Sequence, residues 1–173
     1  TPSAFEFSLV TVDGGGGAAI QFSVTADDTL TFSCDLLVTQ LSVDAGWTAI
    51  MDMQSDGQDN FSQVTVHIQP GPDGGLGGIG VSEYESNDNA MNESTHPVLP
   101  LTSSGWVHIA LSIYPVDPFG YADSLTVDGQ VLETNFLLND LFAEDMPVGS
   151  FGLIYASQPV TAYFDNLLVT EAQ

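Results

Sequence analysis

Four oxygen-bearing residues crowd one short stretch: Asp52, Asp56, Asp59 and Asn60 sit in or beside the run Gln54-Ser55-Asp56-Gly57-Gln58-Asp59-Asn60. Hard oxygens on a flexible loop suit Ca²⁺. The same run is also ordinary turn chemistry, and the turn is the preferred reading. A second acidic pair, Glu6 and Asp165, lies on the first and last apolar alternations. If those strands are neighbours, the pair could tie the termini through calcium, although Asp165 and Asn166 equally suit backbone hydrogen bonds. Glu83 and Glu85 fall on one face of an extended segment, roughly 7 Å apart by strand rise. Paired carboxylates at roughly 5 to 10 Å carry out glycoside hydrolysis; an acidic edge that discourages sheet pairing would look the same.

A further set could bind sugar. Trp106 and His108 share one side of a strand whose other side carries Val107, Ile109 and Ile113. His67 stands opposite Val64, Val66 and Ile68, and Tyr163 belongs with Asp165 on the last strand. An aromatic ring stacks on the C–H face of a sugar while Asp, Asn and His meet its hydroxyls. The competing reading is a sheet face covered by a loop or a second subunit. The three histidines His67, His96 and His108 are scattered and suggest no triad, and Asp13-Gly14 to Gly17 lacks the Lys and helix of a phosphate cradle. Asn60-Phe61-Ser62 and Asn92-Glu93-Ser94 match the glycosylation sequon.

The elements that position these residues are strands. Apolar residues alternate at Phe5-Phe7-Leu9, Ile20-Phe22-Val24, Leu30 to Val38, Trp47 to Met53, Val64-Val66-Ile68, Ile79 to Glu85 (an edge strand), Val107 to Ile113, Leu125-Val127, Val131-Leu132, Gly149 to Ala156 and Val160 to Thr170. Asp128-Gly129 between two such runs predicts a two-residue hairpin. Residues 86–100 read as the longest loop, and Asn135 to Met146 could hold one helical turn. With no crossover helices, the fold class is all-β: one antiparallel two-sheet sandwich, a jelly roll, spanning 1–173 as a single domain.

Charge limits what such a sandwich can do. The 173 residues hold 23 Asp plus Glu and no Lys or Arg, a formal net charge of -23. Nucleic acid and anionic membrane surfaces are excluded as partners, because neither can be neutralised. Schiff-base lysines and arginine clamps are unavailable. No apolar run is long enough to cross a bilayer as a helix. The lone cysteine, Cys34, alternates in phase with Leu30, Phe32 and Leu36 and reads as a small buried hydrophobe. An opening at Thr1-Pro2 suits a mature form after leader removal or an excised piece.

Taken in order, Gly105-Trp106-Val107-His108-Ile109, Ser124 to Gln130 ending in Asp128-Gly129, Gly149-Ser150-Phe151-Gly152-Leu153 and Ala162-Tyr163-Phe164-Asp165-Asn166-Leu167 resemble the concanavalin A-like jelly rolls, in particular laminin G-like and bacterial surface modules. The motifs cover the C-terminal two-fifths, and the remainder follows by strand rhythm. The resemblance implies an extracellular or cell-surface setting and calcium or a glycan as ligand. Glu83, Glu85 and Asp88 faintly resemble the acidic strand of its β-glucanase branch, with the acids in the wrong order. The expected function is thus a non-catalytic, lectin-like or adhesion module that is not an enzyme. The alternatives are a structural subunit that self-assembles into a surface layer or filament and, remotely, a β-glucan hydrolase.

A chain with no cation of its own should be stabilised by salt. Its melting temperature is expected to rise by several degrees from low to high NaCl; a flat or falling response would show that self-repulsion is not a significant cost.

Overall fold

The computed structural model describes residues 5–9, 16–23, 29–44, 46, 48–54, 61–87, 90–95, 98–101, 105–116, 120–133, 148–156 and 158–172. They form thirteen strands in chain order: β1 (Phe5–Leu9), β2 (Gly16–Ser23), β3 (Thr29–Leu41), β4 (Thr48–Gln54), β5 (Phe61–Pro70), β6 (Leu76–Asn87), β7 (Ala90–Thr95), β8 (Leu99–Pro100), β9 (Val107–Val116), β10 (Gly120–Val127), β11 (Gln130–Glu133), β12 (Val148–Ala156) and β13 (Val160–Ala172). All pairings are antiparallel. One sheet runs β1-β13-β3-β9-β10-β11. The other runs β2-β12-β4-β5-β6-β7, with β8 also on β6. The all-β two-sheet sandwich expected from the alternation is the architecture observed.

Period-two patterning decides which way each sheet faces. Leu30, Phe32, Cys34 and Leu36 on β3 turn inward with Val107, Ile109, Leu111 and Ile113 on β9, and they meet Met51, Met53, Val64, Val66, Ile79 and Val81 of the opposite sheet in one core. Phe32 and Phe151 lock the sheets edge-to-face across it, ring centroids 6.3 Å apart. Asp128 and Gly129 both take positive φ, 47° and 80°, as a two-residue turn matched to strand twist requires.

Two expectations change. The β6 segment is no edge: it lies between β5 and β7, because residues 90–95, read as part of a long loop, add a strand beside it. Glu83 follows Ile79 and Val81 in phase and is therefore fully buried on the inner face. It cannot present a carboxylate to a sugar lying on the outside of the sheet, which removes the Glu83–Glu85 pair as a hydrolytic site; the side chains of Glu85 and Asp88 lie outside the described residues. The helical turn expected within 135–146 also lies outside them.

Cys34 is fully buried, and burial first, then the neighbouring Asp35 charge, drives its thiol far above the usual range. It is expected to ignore a thiol reagent in the folded protein and to react once per chain after denaturation. Comparable rates in both states would contradict this packing.

Candidate functional site

The outer face of the seven-stranded sheet carries the most concentrated polar chemistry among the described residues. Cross-strand register assembles it. Ser150 pairs with Asp52, Asp52 with Thr65, and Thr65 with Ser82. The next row is Gln54, Gln63 and Tyr84, and on the other side Ala49, His67 and Gly80. Each residue alternates with core neighbours, so the pattern that buries Val64 and Val66 also turns Gln63, Thr65 and His67 outward. β4 is buried throughout Thr48–Met53, with an irregularity between Ala49 and Met51 at the point where His67 pairs. Bulges of this kind re-aim side chains beside functional sites.

Within this row, two titratable groups stand behind neutral ones. Asp52 is 8% exposed, and its Oδ1 accepts hydrogen bonds from Gln63 Nε2 at 2.9 Å and Thr65 Oγ1 at 3.3 Å. Burial pushes its carboxyl up to about 6, and the two hydrogen bonds only partly oppose this. His67 is 1% exposed, and burial pulls it down to about 4. Its Nδ1 lies 3.4 Å from Ser82 Oγ. His67 is thus neutral at pH 7, and the direction of its bond with Ser82 follows the ring tautomer, while Gln63, Ser82 and Tyr84 keep partial exposure.

Glycine fixes the histidine. A Cβ at Gly80 would stand 2.8 Å from His67 Nε2, and Val98 closes on the backbone at Gly78 and Gly80. Bare backbone there leaves the space in which the imidazole lies.

The residues expected to act together are divided by this topology. His67 belongs to the seven-stranded sheet, whereas Trp106, His108 and Tyr163 belong to the outside of the six-stranded one. Of the loop acids, Asp56, Asp59 and Asn60 fall outside the described residues, and Asp52 bonds to Gln63 and Thr65. β1 and β13 do pair, with Glu6 opposite Tyr163; the Glu6 side chain is not described, and Asp165 Oδ1 accepts the Asn166 backbone N–H at 2.8 Å. Among the described residues no three His, Cys, Asp or Glu gather as a metal-holding group. Sequence reading missed Asp52, Gln63, Ser82 and Tyr84 as a group because they come from three strands.

No family model matches the chain. No curated protein matches it. Solved structures resemble it in fold. A mutant of alginate lyase Aly36B in complex with alginate trisaccharide has a TM-score of 0.67 at 12% identity, covering 98% of this chain and 82% of that one. The endo-β-1,4-glucuronan lyase of the fungus Trichoderma reesei reaches 0.68 at 10% identity, covering 98% and 81%. Scytalido-glutamic peptidase with a transition-state analogue inhibitor reaches 0.52 at 13%, covering 91% and 80%.

At such identities the likeness establishes the fold. It also corrects the expectation of a non-catalytic lectin-like or adhesion module that is not an enzyme: the sandwich, over nearly its whole length, has the architecture of polysaccharide lyases. The self-assembling structural subunit and the β-glucan hydrolase gain no support from these neighbours. The physical reason for the error is that the outer row is assembled across β4, β5 and β6 by register, which a reading along the chain does not contain.

Linkage at Asp52 has a definite sign. Its pKa rises from 3.8 to about 6 on folding, so its contribution is full below about 4 and is lost as pH climbs through about 6. Asp52→Asn keeps the acceptor oxygen and removes the charge; it is expected to stabilise the fold above pH 7 by on the order of 3 kcal/mol and change little near pH 4. Destabilisation at high pH would mean that the charge is held by something favourable.

Proposed function

We propose that the chain is a polysaccharide-cleaving enzyme that breaks uronate polymers by β-elimination on the outer face of its seven-stranded sheet. One observation carries this reading: two buried titratable groups, His67 and Asp52, each bond to a partly exposed neutral side chain, Ser82 and Gln63, in a sandwich shaped like alginate and glucuronan lyases. The finer kinship, to the concanavalin A-like jelly rolls, and an extracellular setting where long polysaccharide is encountered belong to the same proposal. No helix among the described residues is long and apolar enough to cross a membrane.

The chemistry follows from what the row lacks. Removing the proton at C5 of a uronate requires its carboxylate to be neutralised, and with no Lys or Arg this falls to neutral donors. Gln63 gives one amide hydrogen to Asp52 and has a second for the substrate carboxylate. Below about pH 6 Asp52 is protonated, so no negative charge stands behind that contact. The C5 proton passes to Ser82 Oγ as the Ser82 proton moves to His67 Nδ1. The electron pair left at C5 forms the C4–C5 double bond, the C4–O bond breaks, and the Tyr84 hydroxyl protonates the departing oxygen. Ser82 lies between the other two, about 7 Å along the sheet from both the His67 and Tyr84 rows, a separation that one sugar ring bridges.

Alginate and glucuronan incubated with the protein are expected to gain the ultraviolet absorbance of a conjugated unsaturated uronate, with kcat/KM falling as pH rises through about 6. Ser82→Ala and Tyr84→Phe should each lower the rate by roughly a hundredfold or more, and Asp52→Asn should remove the alkaline fall. Chain scission without the double bond, or no scission of any polyuronate, would contradict elimination.

A further inference from the structure

The outer face of the six-stranded sheet holds a second built arrangement that this reaction does not use. Tyr163 pairs with Leu37 and Asp165 with Asp35. Asp35 pairs with His108 and Leu36 with Val107, where the ladder ends, and the exposed Trp106 immediately precedes β9 at that end. Asp165, Asp35 and His108 thus form a polar row, beside the pair Tyr163 and Leu37, with Trp106 at the start of β9 two residues before His108. Three strands at about 4.8 Å spacing make the polar row about 10 Å long, the scale of two linked sugar rings.

The polar row is held from both ends. His108 Nδ1 lies 2.7 Å from Asp35 Oδ1, and Asn166 Nδ2 donates to Asp35 Oδ2 at 2.6 Å. Those bonds, from Asn166 first and then His108, hold the Asp35 carboxyl below its ordinary range. Asn166 reaches Asp35 from a left-handed backbone, φ 51°, at the irregularity between Asp165 and Leu168. On the other side Asp128, at φ 47°, accepts the His108 backbone N–H and donates its own to the His108 carbonyl, both at 2.9 Å. Non-glycine residues adopt positive φ rarely, and such conformations cluster where a side chain must be aimed.

The consequence is a defined set of outward atoms. A carboxylate can only accept, so Nδ1 of His108 carries the hydrogen, and in the neutral ring Nε2 is left as an acceptor. The His108 side chain is 55% exposed. Beside it Trp106 is 45% exposed, the sole aromatic among the large apolar side chains that the described surface exposes. What this face offers a ligand is an open indole and a line of acceptors, with neither Lys nor Arg.

We propose that this face is a docking surface for a neutral saccharide chain, one ring stacked on Trp106 and its hydroxyls donating to His108 Nε2 and to the free lone pairs of Asp35 and Asp165. Sugar rings present an apolar C–H face and a rim of hydroxyl donors, the complement of this pattern. The carboxylates of Asp165 and Asp35, with that of Asp128 bonded to the His108 backbone beyond them, repel a polyuronate here. The two faces thereby take different polymers: an acidic one to be cut, and a neutral one on which the protein is retained. This inference does not depend on the cleavage reading.

Calorimetric titration of the full chain with cellohexaose, laminarihexaose, xylohexaose, mannohexaose and an alginate hexasaccharide tests it. At least one neutral series should bind, about tenfold more weakly to Trp106→Ala and more weakly to Asp35→Asn, while Trp106→Phe and His67→Ala retain binding. Equal melting temperatures of wild type and Trp106→Phe keep the comparison independent of folding. Binding by none of the neutral sugars, binding indifferent to Trp106→Ala, or alginate binding lost with Trp106→Ala would each overturn the proposal. So would a dimer that dissociates on Trp106→Ala, since the face would then belong to a second copy.

Discussion

Every carboxylate in this protein must be accommodated without a Lys or Arg partner. Four means are left: water, a hydrogen-bond donor, a bound cation, or protonation. The structure uses the second repeatedly. Asp52 takes Gln63 and Thr65, Asp35 takes Asn166 and His108, Asp128 takes the His108 backbone N–H, and Asp165 takes that of Asn166. Polar networks here are consequently aimed by amides, hydroxyls and main-chain groups. These are directional and weakly hydrated compared with ion pairs, and they fix geometry more strictly than they contribute energy.

The constraint also explains why the two outer faces differ. On the seven-stranded sheet the acid is sunk behind its donors, so burial raises Asp52 and leaves it uncharged in mild acid. On the six-stranded sheet Asp35 is well solvated, its hydrogen bonds outweigh desolvation, and the charge stays. The same residue type is thus uncharged in one place and charged in the other: Asp52 lies deeper and both its bonds fall on Oδ1, at 2.9 and 3.3 Å, whereas both oxygens of Asp35 are bonded, at 2.6 and 2.7 Å.

Much of the fold was legible along the chain. Leu30-Phe32-Cys34-Leu36 and Val107-Ile109-Leu111-Ile113 alternate so regularly that their inward faces could be assigned outright, and Asp128-Gly129 specified its turn. The β6–β7 region was misread because polarity was taken for exposure: Ala90–Thr95 is polar yet pairs along its length, and Glu83 is a carboxylate on the core side of its strand. His108, Tyr163 and Asp165 lie together on the outer side of one sheet, where the phase of each within its strand puts it. His67 was added to them wrongly, because phase states inner or outer but never which sheet. The Asp52–Thr65–Ser82 row and the Gln54–Gln63–Tyr84 row beside it depend on the register between β4, β5 and β6, and no spacing within one strand encodes them.

The central claim is that the outer row of the seven-stranded sheet is where a uronate chain is held and cut. A crystal structure of the Ser82→Ala protein with a glucuronan or alginate tetrasaccharide, grown in mild acid, tests it most directly. The account predicts a sugar ring lying over Thr65 and position 82, its carboxylate on the Gln63 amide and the bridging oxygen toward Tyr84. A uronate chain bound elsewhere, or seated on the Trp106 face, would contradict it.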